Sequence, residues 1–200
     1  MSKGVPKIIE FAGLPAAGKT TIIQLLEKYL RDRNINCQLI GTASTVSPIS
    51  NYKTDWTFDV WSICRSIMKL IEVSNIEDNE WIIVERGLID SLCWLKWFRD
   101  SGHITTSEFE IIKEFALIAE WLNKIDLVIV LQVELATALA RGRTPGRVVN
   151  HAVYKELRCA YDTTIKEVQS SKHIHNIVMY ETDEMSPSTV CKLLLERLVV

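Results

Sequence analysis

The chain has 200 residues, 48% of them hydrophobic and 24% charged, with a formal net charge of −2. That length and apolar content suit one compact domain whose sheet is covered on both faces, and the near-neutral balance excludes a global pull toward nucleic acid or an anionic membrane. The five cysteines, Cys37, Cys64, Cys93, Cys159 and Cys191, are odd in number and far apart, which predicts reduced, mostly buried thiols rather than a disulfide framework or a zinc site.

Residues 1–7 are too short and polar for a signal peptide, and no apolar run approaches the roughly 20 residues of a membrane span, so the expected setting is cytoplasmic, without a membrane partner. The first strand is read over 7–12. It leads into Gly13-Leu14-Pro15-Ala16-Ala17-Gly18-Lys19-Thr20, which fits G-x-x-x-x-G-K-[ST] in full, and a helix over 19–33 follows. Strand, glycine loop and helix in that order are the context the motif requires. A tight loop feeding a helix turns several N–H groups toward one point, and the helix end adds about half an elementary charge there. Gly13 and Gly18 let the backbone curl around an anion, and the nucleotide-binding set runs from Gly13 to Thr21. Lys19 is the cation expected to reach the β- and γ-phosphates, and the Thr20 hydroxyl is placed to ligate Mg²⁺.

A second strand is read over 37–41 and a helix over 56–74, joined by a loop at the end of the sheet where ligands bind. That helix opens with Trp56 and Trp61, which do not share a narrow apolar stripe. Trp56 is a candidate to stack on the planar base of an acceptor and Arg65 to reach an acceptor phosphate; core packing and a surface cap are the respective alternatives. The third strand, 81–85, ends in Glu85-Arg86-Gly87, which a P-loop fold sets beside the phosphate loop. Glu85 either orients Mg²⁺ through water or accepts the proton of a substrate hydroxyl. Arg86 supplies a forked donor that suits an acceptor hydroxyl or phosphate; a structural surface pair, with Glu85 capping the next helix, is the alternative.

Helices are then read over 88–100, with Trp94 and Trp97 packed, and over 107–123, where Ser107 and Glu110 form a capping box. A fourth strand over 126–133 and a helix over 134–141 lead into Arg141-Gly142-Arg143-Thr144-Pro145-Gly146-Arg147. Arginines broken by two glycines and a proline do not form a helix interior, so an exposed mobile loop is expected, suited to clamp phosphates. Arg141 would hold nucleotide, and Arg143 and Arg147 would offset transition-state charge. A solvated basic loop is the alternative, and nucleic-acid contact ranks last because no aromatic residue interrupts the run. A helix over 151–169, a strand over 176–180 and a helix over 187–198 opened by Ser186-Pro187 complete the chain. His173 and His175 lack a third ligand and read as structural. With no linker or repeat, residues 1–200 are expected to form a single P-loop domain with a lid segment at about 141–150.

Asn123-Lys124-Ile125-Asp126 spells the N-K-x-D that reads guanine in GTP-dependent switches. Here it precedes a strand instead of following one, and no D-x-x-G closes the third strand, so a GTP-dependent switch stands as a rival of a different class.

Gly13 to Thr20, Glu85-Arg86 and the Arg141 to Arg147 segment together resemble the thymidylate kinase and deoxynucleoside kinase family of P-loop kinases. The resemblance implies a three-layer α/β P-loop NTPase fold with a five-stranded parallel sheet. It implies transfer of the γ-phosphoryl group of ATP, with Mg²⁺, to a small acceptor, foremost a nucleoside or nucleoside monophosphate. Glu85 falls on the acid that acts as base or orients the acceptor, Arg86 on the arginine that contacts its 5′-oxygen or phosphate, and 141–147 on the basic lid. Gly87 departs from the Ser or aromatic residue usual there, and the acceptor signatures after the second strand are not recognisable. A kinase for another hydroxyl, such as an antibiotic, a sugar or a polynucleotide 5′-end, is therefore the runner-up. The expected partners are ATP and a small acceptor, with no nucleic acid and room for a homodimer.

Overall fold

In the computed structural model, five short apolar runs become the strands β1 (Lys7–Gly13), β2 (Cys37–Ile40), β3 (Trp81–Glu85), β4 (Leu127–Gln132) and β5 (Ile177–Glu181). The central strands, β1, β3 and β4, are buried along nearly their whole length, as strands covered on both faces require, while the edge strands β2 and β5 keep exposed positions. Between and after them lie α1 (Lys19–Asp32), α2 (Thr57–Val73), α3 (Leu88–Asp100), α4 (Thr106–Ala116), α5 (Ala119–Leu122), α6 (Leu135–Arg141), α7 (His151–Ser170) and α8 (Pro187–Leu198). The structure describes residues 5–51, 54–74, 80–141, 151–170, 174 and 176–198.

The strands form one sheet in the order β2-β3-β1-β4-β5, and every pairing is parallel. From β1 the chain travels outward to β2, then turns back through β3 and continues past β1 to β4 and β5. Parallel crossovers are right-handed, so the change of direction puts α1 on one face and the later crossover helices on the other. The packing agrees: α1 lies against α8, while α3 lies against α2, α4 and α7. The result is the three-layer α/β arrangement read from the sequence. Its core is made by buried Ile8, Ile9, Phe11, Ile82, Ile83 and the whole of β4, flanked by Ile22, Ile23, Leu26 and Leu30 of α1 at helical spacing. Each such side chain contributes about 1.5–3 kcal/mol by leaving water. The reversal of strand order falls between β1 and β3, and the crevice beyond their carboxyl ends is where open α/β sheets bind ligands.

The helix expected over 107–123 is two helices, and its capping box lies two residues earlier. Thr105 has extended backbone (ψ 156°) and its hydroxyl accepts from Glu108 N at 3.2 Å, while Glu108 Oε2 accepts from Thr105 N at 2.8 Å. Ser107 is thus already inside the helix, and Glu110 pairs with Lys113 instead. The helix stops at Ala116 because Ile118 is extended (ψ 129°) and the Trp121 indole donates to the Ala116 carbonyl at 3.0 Å, satisfying a helix-end acceptor. Ser186 caps α8 as expected, accepting from Thr189 N at 3.1 Å. Trp97 is buried and meets Trp94 edge-on at 6.1 Å.

All five cysteines are free, but the expectation that most are buried fails. Cys93 and Cys191 are buried, Cys37 is half-buried, and Cys64 and Cys159 are exposed because they fall on the outward faces of α2 and α7. His173 and His175 lie outside the described residues. Among the described residues no helix is long and apolar enough to cross a membrane.

Candidate active site

Gly13 ends β1 opposite Leu131 with φ +138°, and a Cβ there would lie 2.1 Å from the Leu131 carbonyl oxygen, so the first position of the loop accepts glycine alone. Leu14 N donates to that same oxygen at 3.0 Å, and Ala16 takes the left-handed conformation (φ +62°), which curls the loop back toward α1. Lys19, 5% exposed, directs its ammonium into the loop, donating to the carbonyls of Gly13 at 2.7 Å and Leu14 at 2.8 Å. The Thr20 hydroxyl donates to Glu85 Oε1 at 2.5 Å. The two residues read as metal-holding or proton-handling are therefore in direct contact, across 65 positions of sequence.

The register of the sheet brings them together. Glu85 pairs with Phe11, two residues before Gly13, and Arg86 N donates to the Phe11 carbonyl at 2.9 Å. Arg86 then adopts φ +58°, a conformation that costs a non-glycine residue energy and turns the chain into α3. Its guanidinium, 26% exposed, donates to Asp90 Oδ2 at 2.8 Å and lies 3.5 Å from the Gly13 carbonyl. The partner of Arg86 is thus a buried acid one helical turn on, not Glu85. Asp90 Oδ1 also accepts from Gly13 N at 2.9 Å and from the Tyr161 hydroxyl at 2.6 Å. One carboxylate so ties together the phosphate loop, the arginine and α7. Burial disfavours the charge on Arg86, but the Asp90 carboxylate it donates to, with Glu85, outweighs it and holds the guanidinium firmly cationic. Burial, then the Asp90 charge, pushes the Tyr161 phenol well above its usual range, so it stays a donor.

Behind this cluster, Glu10 of β1 is buried and its Oε1 accepts from Ile89 N at 2.8 Å and Asp90 N at 2.9 Å. It satisfies the first amides of α3, which no residue of the preceding turn reaches with a side chain. The carboxyl fits because residue 87 is glycine: a Cβ there would stand 2.8 Å from Glu10 Cδ. Gly87→Ala is expected to destabilise the protein by about 1–3 kcal/mol through that overlap, read as a lowered denaturation midpoint. Burial pushes the Glu10 carboxyl up to about 8. The unfolded chain releases that proton more readily, so the stabilisation is complete below about pH 4.5 and is lost as pH rises toward 8. Glu10→Gln should therefore flatten the fall in melting temperature between about pH 5 and 8, and a variant that tracks the wild type through that window would contradict this assignment.

The other expected site residues divide. Pro15, Ala17 and Thr21 take their places in the loop and first turn of α1. Trp56 precedes α2, partly buried against the core. Arg65 lies off the stripe of α2 that is buried, which runs through Asp59, Ser62, Ile63, Ser66 and Ile67, so the structure does not bring it to the others. Arg141, the last residue of α6, donates to Thr182 Oγ1 at 3.0 Å and to the Thr182 carbonyl at 2.6 Å, and its Nη1 lies 3.5 Å from the Ala16 carbonyl of the phosphate loop. Arg143 and Arg147 lie outside the described residues. Asp126 of the N-K-x-D run accepts from Ile8 N at 2.7 Å at the start of β1, the end of the sheet opposite the phosphate loop, where it reads no base. Asp90, Glu10 and Tyr161 were not singled out from sequence. The signal for Asp90 is its four-residue spacing from Arg86, and for Glu10 an acid inside an apolar strand.

A family model described as chromatin associated protein KTI12 matches residues 7–104. No curated protein matches the chain at a significant level. Among solved structures, deoxyadenosine kinase from M. mycoides with the product dCMP and a flexible dCDP bound is 19% identical, with a TM-score of 0.71, over 96% of this chain and 98% of that one. The same enzyme with bound dATP is 20% identical, with a TM-score of 0.67, over 96% of this chain and all of that one. Thymidylate kinase from Candida albicans is 12% identical, with a TM-score of 0.61, over 96% of this chain and 91% of that one. The chain thus has the P-loop fold of the deoxynucleoside and thymidylate kinases, a five-stranded parallel sheet between two helical layers, as the sequence resemblance implied.

Proposed function

We propose that this chain is an ATP-dependent phosphotransferase that moves the γ-phosphoryl group, with Mg²⁺, to a small acceptor of the nucleoside or nucleoside monophosphate class. The observation that carries the reading is the 2.5 Å contact between Thr20 and Glu85, which joins the end of the phosphate loop to the acid of β3 at the switch point of the sheet. Phosphoryl transfer asks a protein mainly to position reactants and neutralise charge. The loop amides and Lys19 hold the donor phosphates, Thr20 holds the metal, Glu85 orients it or handles the acceptor proton, and Arg86 stands on the acceptor side. The likeness in fold to a deoxyadenosine kinase and a thymidylate kinase supports this class of acceptor. Arg141, anchored beside Ala16, starts the 141–150 segment next to the phosphates, which supports a lid role for Arg143 and Arg147 within a single domain. An assay of nucleosides, nucleotides and other hydroxyl compounds with direct detection of the phosphorylated product tests the reading; ATP bound but never transferred to any of them would end it. The match to the chromatin-associated family favours a second reading, a nucleotide-driven protein working with a partner, in which ATP or GTP is hydrolysed without an acceptor.

A further inference from the structure

Helix α7 turns one face toward the carboxyl ends of the sheet through Tyr154, Arg158, Tyr161 and Asp162, which recur at helical spacing. The Tyr154 hydroxyl donates to the Val133 carbonyl at 2.8 Å. Arg158 donates to the same carbonyl at 3.3 Å, to Glu134 Oε1 at 2.9 Å and to Glu181 Oε1 at 2.9 Å, which seats the helix on the ends of β4 and β5. Its next turn reaches the phosphate loop by two separate routes. Tyr161 donates to Asp90 Oδ1 at 2.6 Å, the oxygen that also takes the Gly13 amide at 2.9 Å. Asp162 Oδ1 accepts from Gln132 Nε2 at 2.6 Å, and the Gln132 carbonyl accepts from Thr182 N at 2.9 Å and from Thr182 Oγ1 at 3.0 Å. Thr182 in turn accepts from Arg141, whose Nη1 lies 3.5 Å from the Ala16 carbonyl. Two consecutive side chains of one helix thus lead to the start of the loop and to its bend.

Tyr161, Asp90, Gln132 and Thr182 are all buried, so none of them can trade a lost partner for water. Of the three donors to Asp90, Tyr161 is the one that belongs neither to the loop nor to the turn after β3. It fixes how the carboxylate is turned, with Oδ1 toward Gly13 and Oδ2 toward Arg86. Gly13 (φ +138°) and Ala16 (φ +62°) hold uncommon backbone conformations, which persist where the surroundings impose them. We infer that Tyr161 and Asp162 are positioning residues of the nucleotide site: from α7 they hold the first residue and the bend of the phosphate loop in its anion-binding shape, without touching the nucleotide. A loop released from either hold must be ordered by the nucleotide itself, and that ordering weakens binding. The inference rests on the reading of Gly13 to Thr20 as the nucleotide site and is independent of the acceptor.

The test uses the full chain as wild type, Tyr161→Phe, Asp162→Ala and Asp162→Asn, with Mg²⁺-ATP as the probe, binding read by calorimetry and folding by melting curves. Tyr161→Phe keeps the buried ring and loses the hydroxyl alone, and Asp162→Ala removes the acceptor of Gln132. Each is expected to raise the ATP dissociation constant by about fivefold or more. Asp162→Asn keeps an oxygen for Gln132 Nε2 and should stay within about twofold of wild type. Amide hydrogen exchange separates the two routes. The Gly13 amide, bonded to Asp90, should exchange about fivefold or more faster in Tyr161→Phe and stay within about twofold in Asp162→Ala, whose route runs to Ala16. A merely structural pair would lower the melting temperature and leave the dissociation constant of the folded protein unchanged, which overturns the inference while the nucleotide site stands. Asp162→Asn as weak as Asp162→Ala overturns the assignment of Asp162, and an unchanged Gly13 amide in Tyr161→Phe overturns that of Tyr161. Wild type that binds neither ATP nor GTP overturns the inference and the phosphotransferase reading together.

Discussion

Lys19→Ala is expected to remove at least about 10²-fold of phosphoryl-transfer activity while the protein keeps its fold. The ammonium touches the backbone of its own loop, at the Gly13 and Leu14 carbonyls. The conformation of the loop is fixed by other means: Gly13 by its approach to Leu131, and the Gly13 amide by Asp90. What the substitution deletes is the one loop cation able to follow charge as it develops on the transferred phosphoryl group, an interaction stronger in the transition state than in the ground state. Circular dichroism and a melting curve recorded beside the rate separate the outcomes. A variant that unfolds would make Lys19 structural, and one that turns over normally would remove it from the chemistry.

Glu85→Gln is expected to lower kcat by about 10²-fold and to raise the Mg²⁺ concentration needed for half-maximal rate. The amide keeps the shape of the side chain and a carbonyl oxygen for the Thr20 hydroxyl, but loses the charge that would orient a hydrated cation held by Thr20. A magnesium titration of the rate carries the test. If the rate falls with the Mg²⁺ requirement unchanged, Glu85 handles the acceptor proton and the metal-orienting role is wrong. An unchanged rate would take the residue out of the site altogether.

Much of the fold was legible because its signals are local. The phosphate loop is one contiguous octet, the parallel strands are short apolar runs, and the alternation of strands and helices fixes the fold class. Helix ends were less legible where two cap patterns overlap, as Thr105 with Glu108 and Ser107 with Glu110 do, since the choice depends on the backbone of the preceding loop. The break after Ala116 depends on a Trp121 indole reaching back to its carbonyl, which periodicity does not report. In the site, Glu85 and Arg86 were legible from their position at a strand end. The acids around them were not, because Glu10 meets α3 across 79 positions and Tyr161 meets Asp90 across 71, and only the packed sheet brings them together. Arg86 shows the limit most clearly: sequence presents it as a free donor for an acceptor, whereas folding gives it Asp90.

The central claim is that the phosphate loop and the Glu85–Arg86 strand end form one phosphoryl-transfer site. A single-turnover experiment with protein in excess over γ-labelled ATP, Mg²⁺ and a nucleoside pool tests it most directly, with products separated at each time point. Label is expected to leave ATP and appear in a phosphorylated nucleoside in one exponential phase, lost in Lys19→Ala and slowed in Glu85→Gln. Label that appears only as inorganic phosphate, at a rate indifferent to the acceptor, would contradict it.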